Sequence, residues 1–160
     1  KAEGIFPYMS IQDNLTMTIL PKISRFGILN KKKQKEVTLE YIQKIAIKTP
    51  GTSTKIKDLS GGNQQKVAMA KGLDTRPEIF IFDEPTRGVD IAARRDIYEF
   101  IRNLANGGVA CLLISSDMEE ILGMCGRVMV MRAGAVAGFR SGEELTQEEL
   151  MYLAIGVERR

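Results

Sequence analysis

Two adjacent carboxylates follow a short apolar run near the middle of the chain. Residues 79–82 read IFIF, and Asp83 and Glu84 come directly after them. This pattern predicts a buried strand that delivers both acids to the end of a sheet, where one carboxylate can hold Mg²⁺ through water and the other can meet an attacking water. Because side chains alternate along a strand, the two acids need not point the same way. The alternative is a buried strand followed by a plain acidic turn, since short motifs also occur by chance.

A glycine-rich segment lies earlier in the chain, and 23 positions separate its Ser60 from Asp83. Residues 59–66 read LSGGNQQK. Gly61 and Gly62 let the backbone come close to a ligand, and Ser60 can cap the following helix or donate to a phosphate oxygen. The free N–H groups and the positive dipole end of that helix suit an anion. A capped helix after a glycine turn is the alternative interpretation of the same residues.

The composition excludes several kinds of site. The chain has no His, which excludes a His-based triad, a His metal site and a His general base. Cys111 and Cys125 fit no zinc or redox spacing, and Cys111 lies in an apolar run that predicts packing rather than nucleophilic chemistry. Lys and Arg number 23 and Asp and Glu number 20, and this net charge of +3 excludes a strongly basic nucleic-acid arm as the dominant feature.

The carboxylates and the glycine-rich segment must be positioned by the helices and strands around them. Short helices and loops are predicted before about residue 50, and strands and helices alternate after it. Ser10 predicts a helix over residues 11–20 that Pro21 ends, and Asn30 predicts one over 31–47 with an apolar stripe at Val37, Tyr41 and Ile45. Further helices are predicted over 60–73, 90–105 with Asp90 as cap, 117–122, and after a capping box at Thr146 that Gly156 closes. Strands are predicted over 79–82, 109–114, 128–131 and 135–139.

The strands are apolar without alternation, which is typical of a parallel sheet covered on both faces. Ligands of such α/β sheets gather at the carboxyl ends of the strands. Asp83 and Glu84 lie at one predicted strand end, and Ser115 and Ser116 lie at the next. The sequence therefore predicts a candidate site at this edge.

With these motifs in this order, nearly the whole chain resembles the ATP-binding cassette (ABC) family. Residues 59–66 resemble its signature motif, 79–84 its Walker B strand, and 86–90, reading TRGVD, its D-loop. The resemblance implies an α/β fold: an incomplete P-loop NTPase (RecA-like) parallel sheet with helices on both faces, plus a helical subdomain. The implied division is a helical subdomain over 1–75 that ends in the signature helix, and a Walker B half over 76–160 that ends in a hairpin and a helix. No G-x-x-x-x-G-K-[ST] occurs in the chain, so the P-loop part is taken as missing at the amino end.

Two variant positions narrow the resemblance. Most family members have Gln where Asn63 stands and Arg where Lys66 stands. The present pattern is similar to the second ATPase half of bacterial tandem sugar importers, which serve ribose, galactose, xylose and related autoinducers. Ser116 stands where the family has its switch histidine, a departure that this subfamily shares.

The resemblance implies a role for each site residue, with ATP and Mg²⁺ as cofactors. Asp83 would order Mg²⁺ through water, Glu84 would orient or deprotonate the attacking water, and Asp90 would communicate across the interface between two cassettes. The signature residues would contact ATP held by the partner half: Ser60, Gly61, Gly62, Asn63 and Gln64. This chain alone is expected to be inactive, because it lacks the P-loop sequence.

The implied partners are a second ATPase half, membrane permease subunits and, indirectly, a periplasmic or extracellular sugar-binding protein, with no nucleic acid. The implied location is the cytoplasmic face of the bacterial membrane, as a peripheral subunit. Two alternatives stay open: a soluble cassette ATPase that acts on nucleic acid, and a non-catalytic cassette fragment. The basic run at residues 31–35 is interpreted as a solvated helix start rather than a nucleic-acid patch.

Overall fold

The computed structural model describes residues 4–73 and 76–156, which fall into two compact units. The first unit comprises Lys1–Phe80 and Pro85–Cys111, and the second comprises Ile81–Glu84 and Leu112–Arg160. Among the helices in the described ranges, none is long and apolar enough to cross a bilayer.

The first unit begins with a short helix that does not end at Pro21. Helix α1 spans Ile11–Thr16 and is capped by Ser10, whose Oγ accepts a hydrogen bond from the Asp13 N–H at 3.1 Å. A 3-10 turn at Met17–Ile19 then leads into α2, Leu20–Ile23. The predicted stop at Pro21 is wrong, because Pro21 lies in the first turn of α2, where a missing backbone N–H leaves no helical hydrogen bond unmade.

A small hairpin that the sequence pattern did not predict follows α2. Its strands are β1, Ser24–Arg25, and β2, Ile28–Leu29, which pair antiparallel. The two-residue turn consists of Phe26 and Gly27, both at positive φ, 52° and 77°. Such primed turns match the twist of hairpin strands, and Gly is suited to them, whereas Phe is strained there.

Helix α3, Lys31–Lys44, packs on α1 through polar rather than apolar side chains. Asn30 caps it as predicted. The predicted apolar stripe is confirmed only at Ile45, which is buried but lies just past the end of the helix, while Val37 and Tyr41 are half-buried. The buried residues of the helix itself are Gln34 and Thr38.

Gln34 is the centre of this polar contact and is only 1% exposed. Its Nε2 donates to Thr16 Oγ1 at 3.0 Å, and its Oε1 accepts from Gln12 Nε2 at 3.0 Å. Both the oxygen and the nitrogen of the buried amide are therefore hydrogen-bonded, which offsets the free-energy cost of removing them from water.

Two longer helices complete the first unit. Helix α4 spans Gly61–Leu73, and α5 spans Ile91–Asn106 with Asp90 as its cap, as predicted. The segment before α4 contains a 3-10 turn at Ile56–Asp58 whose Ile56 is fully buried. The core is made by side chains of α1, that turn, α4 and α5: Ile11, Leu15, Ile56, Val67, Ala70 and Ile97.

The central strands are β3, Ile79–Asp83, and β4, Ala110–Ile114, which form a two-stranded sheet. Near their starts the Ala110 N–H donates to the Glu78 carbonyl, and past the end of β3 the Glu84 N–H donates to the Ile114 carbonyl, both at 2.9 Å. The strands therefore run in the same direction, as predicted for this α/β fold.

Burial alternates along these strands more than the apolar sequence suggested. Phe82 is 3% exposed, whereas Ile81, Leu112 and Ile114 are 58%, 49% and 48% exposed. The described part of the chain therefore leaves one face of these strands open.

The second unit ends in a hairpin and a helix that match the sequence prediction. Helix α6 spans Met118–Met124, and β5, Arg127–Arg132, pairs antiparallel with β6, Ala135–Ser141. Helix α7, Gln147–Ile155, is capped by Thr146 and ends at Gly156 in the left-handed conformation. Arg140 Nε binds Glu149 Oε2 at 3.0 Å and ties β6 to α7.

We expect Gln34→Met to lower the free energy of unfolding by about 2 kcal/mol, because it removes the hydrogen-bond partner of the buried Thr16 hydroxyl and of the half-buried Gln12 amide. The matched control is Gln43→Met, which removes the same amide from an exposed position of the same helix. Urea unfolding of the three proteins measures the difference. Equal midpoints for both variants would contradict the polar-contact interpretation.

Candidate functional site

The hydroxyl of Ser60 is oriented by the side chain of Asn63. Asn63 Nδ2 donates to Ser60 Oγ at 2.8 Å, and Asn63 Oδ1 accepts from the Lys48 N–H at 2.8 Å. Since Ser60 Oγ accepts from Asn63, its own O–H is directed elsewhere and can donate to an anion. Ser60 is exposed, so an anion from solvent can reach it.

The predicted signature residues include two that bond within the chain, Asn63 and Gln64, and two that are exposed to solvent, Ser60 and Gly61. The Ser60 carbonyl accepts from the Gln64 N–H at 2.9 Å and starts α4, while Gln64 Nε2 donates to the Leu59 carbonyl at 3.0 Å. The amides of Asn63 and Gln64 make contacts within the chain, whereas Ser60 and Gly61 are exposed at the start of a 13-residue helix. This exposed helix start has the N–H groups and dipole that suit a phosphate.

Gly62 sets the distance between the start of α4 and α5. It is buried, and a Cβ built on it would lie 2.5 Å from Ala93 Cβ and 3.4 Å from Val89 Cγ1. No real side chain fits at that distance, so the backbones approach this closely only because residue 62 is Gly. Gly61 faces more open space, with the Gly88 carbonyl 3.8 Å from its built Cβ. The signature segment therefore packs directly on residues 88–93.

Asp90, the predicted communicating residue, lies in this contact and caps α5. Its Oδ1 accepts from the Ala93 N–H at 2.9 Å, and the adjacent Val89 carbonyl accepts from Arg94 Nε at 3.3 Å. These hydrogen bonds hold the turn before α5 in place.

Lys66 is a buried cation one turn further along α4, and the sequence analysis noted it only as a variant position of the motif. It is 3% exposed; its Nζ donates to Asp96 Oδ2 at 2.6 Å and to the Ala46 carbonyl at 2.9 Å. The ammonium therefore links α4 to α5 and to the segment that follows α3. Loss of either partner would leave charge poorly compensated, which is strongly destabilising in a buried setting.

Asp83 and Glu84 lie together at the end of β3 in the second unit, as predicted. Asp83 is exposed, and Glu84 adopts a positive φ of 46°. A non-glycine residue in this region is strained, and such strain is maintained only where surrounding contacts hold the residue in place. Here the Glu84 N–H donates to the Ile114 carbonyl at 2.9 Å.

The loop after β4 also binds Glu84, through a hydrogen bond to its side-chain carboxylate. The Ser116 N–H donates to Glu84 Oε1 at 2.9 Å, and Ser115 Oγ accepts from the Asp117 N–H at 3.0 Å. The carboxylate is thus held at one oxygen by a backbone amide. Sequence reasoning singled out Ser116 for its side chain and missed its amide, because no residue type signals a backbone donor.

The remaining candidate groups offer no metal cage or reactive thiol. Within the described residues, no group of three or more His, Cys, Asp or Glu side chains could hold a metal ion. Burial raises the pKa of the Cys111 thiol; burial and then the negative charge of Glu120 raise the pKa of Cys125. Both thiols therefore stay protonated at neutral pH, as expected for Cys111 as a packing residue.

The structure thus forms two groups of site residues, one in each unit. Ser60, Gly61, Gly62 and Asp90 belong to the first unit, and Asp83, Glu84 and Ser116 belong to the second. In the first group, Ser60 and Gly61 offer hydrogen-bond donors to an anion, and Gly62 and Asp90 hold them in place. The second offers two carboxylates, one exposed and one held by a backbone amide.

Comparison with known proteins identifies the family to which these features correspond. The family model described as ABC transporter matches residues 1–87. The ribose import ATP-binding protein RbsA of Clostridium perfringens (strain 13 / Type A) is 46% identical over 158 residues, which are 98% of this chain and 32% of that protein. The ribose import ATP-binding protein RbsA 2 of Escherichia coli O157:H7 is 42% identical over 157 residues, 98% of this chain and 31% of that protein.

Solved structures show the same fold. A dimeric ATP-binding cassette in a post-hydrolysis state, bound to ADP and Pi, matches with a TM-score of 0.73 at 22% identity, covering 86% of this chain and 58% of that one. The chain spans about a third of the length of the curated relatives it matches.

We expect Gly62→Ala to lower the free energy of unfolding by about 1–3 kcal/mol, because its methyl group overlaps Ala93. Gly61→Ala is the matched control, and its effect should stay within about 1 kcal/mol, since a methyl group fits there. Thermal and urea unfolding measure both.

The double variant Gly62→Ala with Ala93→Gly should recover most of the loss, because it moves the methyl group from one side of the contact to the other. If Gly62→Ala were as stable as Gly61→Ala, the close approach of the two helices would not exist in solution.

Proposed function

The chain belongs to the ABC transporter family, and we propose that it forms part of the ATP-hydrolysing, energy-coupling subunit of a bacterial importer for ribose or a related sugar. The observation that carries the hydrolytic part is Glu84, strained at φ 46° and held at Oε1 by the Ser116 amide. Ribose import ATP-binding proteins are 42% and 46% identical to this chain over 98% of its length, which supports ribose or a related sugar as the substrate.

The rest of the proposed assembly follows from the same relationship. The chain would be the later part of the second cassette in a tandem polypeptide, with residues 1–75 as the helical subdomain and 76–160 as the Walker B half. Its partners would be the other cassette, membrane permease subunits and, indirectly, a sugar-binding protein outside the membrane. The subunit would lie at the cytoplasmic face of the membrane.

On the phosphate side, the proposal assigns the donors at the start of α4. The Ser60 hydroxyl, oriented by Asn63, and the exposed backbone at Gly61 would donate to phosphate oxygens of ATP held by the partner half. Gly62 and Asp90 would act by position, since they fix the start of α4 against the turn before α5. Asn63 and Gln64 would support this segment through their contacts within the chain.

On the water side, the proposal assigns the two carboxylates. Glu84 would orient the attacking water and accept its proton at the carboxylate oxygen that the Ser116 amide leaves available. Asp83 would hold Mg²⁺ through water; a single carboxylate suits this ion, which takes its remaining ligands from phosphates and water. Bound Mg²⁺ would neutralise negative charge on the phosphates.

The main test is Glu84→Gln in the full-length polypeptide, which keeps an amide oxygen for the Ser116 N–H but removes the base. We expect hydrolysis to fall by about 10²–10⁴-fold while nucleotide binding is retained. The measurements are phosphate release and calorimetric binding of ATP with Mg²⁺. Glu143→Gln, an exposed carboxyl in the same unit, is the control and should leave both unchanged. Full hydrolysis by Glu84→Gln would reject the assignment.

A second test separates the backbone of Ser116 from its side chain. We expect Ser116→Ala to keep hydrolysis within about twofold of the parent, because the N–H that orients Glu84 remains. Ser116→Pro lacks that N–H, so kcat should fall by about tenfold or more while the nucleotide KM stays unchanged. An unfolding curve for each protein checks the fold. A loss in Ser116→Ala as large as that in Ser116→Pro would show that the side chain, and not the amide, matters.

A further inference from the structure

One exposed segment of the first unit, residues 22–35, concentrates the positive charge of the chain. It contains Lys22, Arg25, Lys31, Lys32, Lys33 and Lys35, and all six are exposed. From residue 14 to residue 35 there is no acidic residue, so this stretch carries +6 while the rest of the chain carries −3. The modest overall charge therefore conceals a strongly basic surface, which we name the basic segment.

Two large apolar side chains stand uncovered within the basic segment. Phe26 is 91% exposed and Ile28 is 75% exposed, both in the small β1–β2 hairpin. The Arg25 guanidinium lies 5.4 Å from the centre of the Phe26 ring, so a cation accompanies the ring at the tip. Isolated exposed apolar residues are ordinary, but an aromatic and an aliphatic side chain together at a hairpin turn form an apolar tip.

The hairpin and the lysines form one surface, because the base of the hairpin is attached to the start of α3. The Asn30 N–H donates to the Ile23 carbonyl at 2.9 Å, and Lys33 Nζ reaches the Lys22 carbonyl at 3.5 Å. The apolar tip is therefore fixed beside the lysines.

Local folding energetics do not explain this arrangement. Lys31, Lys32 and Lys33 occupy the first turn of α3, which contains no acidic residue, and cations there oppose the helix dipole. Phe26 takes a positive φ that a bulky side chain adopts only with strain. Within the described residues, Lys31, Lys32 and Lys35 form no ion pair. Both features oppose the stability of the chain, and contact with another surface would account for them.

We propose that the basic segment binds the surface of a membrane that contains anionic lipids. The lysines would lie among the phosphate headgroups, and Phe26 and Ile28 would enter the headgroup boundary. A cluster of cations beside exposed apolar side chains is the pattern that such surfaces attract. A nucleic acid would use the cations and could stack on Phe26, but the aliphatic Ile28 gives it no stacking partner. The contact requires no nucleotide, so it stands apart from ATP hydrolysis.

The experiment is flotation of the full-length polypeptide with vesicles, without nucleotide. One set contains phosphatidylcholine only, and the other contains phosphatidylcholine mixed with phosphatidylglycerol. We expect binding to the mixed vesicles only, weakening as salt is added. The triple variant Lys31→Gln, Lys32→Gln, Lys35→Gln should lower partitioning by at least about tenfold. Phe26→Ser should also lower it, because the apolar tip is lost.

The control variant removes the same charge elsewhere in the first unit: Lys44→Gln, Lys48→Gln, Lys55→Gln. It should retain binding within about threefold of the parent, since those lysines lie outside the basic segment. Equal loss in the two triple variants would overturn the proposal, as would equal binding to neutral vesicles. A chain that ignores both vesicle types but binds a single-stranded oligonucleotide through the same lysines would identify a nucleic-acid surface instead. Unfolding curves confirm that the variants fold.

Discussion

The close approach of α4 to α5 at Gly62 and Ala93 is the contact on which the signature segment depends. The distance leaves no room for a Cβ at residue 62, so the start of α4 is positioned by backbone packing. The buried Lys66 ammonium, which binds both Asp96 and the Ala46 carbonyl, holds the same pair of helices one turn later. A steric contact and a charged one therefore act together, and they fix where Ser60 presents its hydroxyl.

Asp83 and Glu84 are positioned by a strand end and by hydrogen bonds rather than by close helix packing. Asp83 is simply the exposed end of a strand, while Glu84 is turned into the left-handed region and held by hydrogen bonds from its own N–H and to its side chain. The strain is compatible with folding because two hydrogen bonds, to Ile114 and from Ser116, stabilise it. An oriented carboxylate beside an exposed one is suited to separate tasks, which is the basis of the proposed division between water and Mg²⁺.

The sequence predicted the elements that depend on local signals and missed those that depend on tertiary contact. Caps at Ser10, Asn30, Asp90 and Thr146 were predictable, because a short polar side chain before a helix satisfies free N–H groups locally. The prediction of a helix end at Pro21 was wrong because proline is common both after a helix and in its first turn. Gln34 could not be predicted as a buried residue, because its burial depends on partners from α1. The site residues were recognisable as motifs, but the contacts of Lys66 and Ala93 depend on how α4 packs on α5, which no local pattern encodes.

The hold on Glu84 by the Ser116 amide has a consequence for how this position can vary over evolutionary time. Every residue except proline offers the same backbone N–H, so selection for that hydrogen bond places almost no demand on side-chain identity. Substitutions could accumulate at residue 116 without disturbing the bond, and the side chain could drift toward other duties. Comparing side chains across relatives would then reveal nothing about this donor, although a change in the length of the loop would displace it at once.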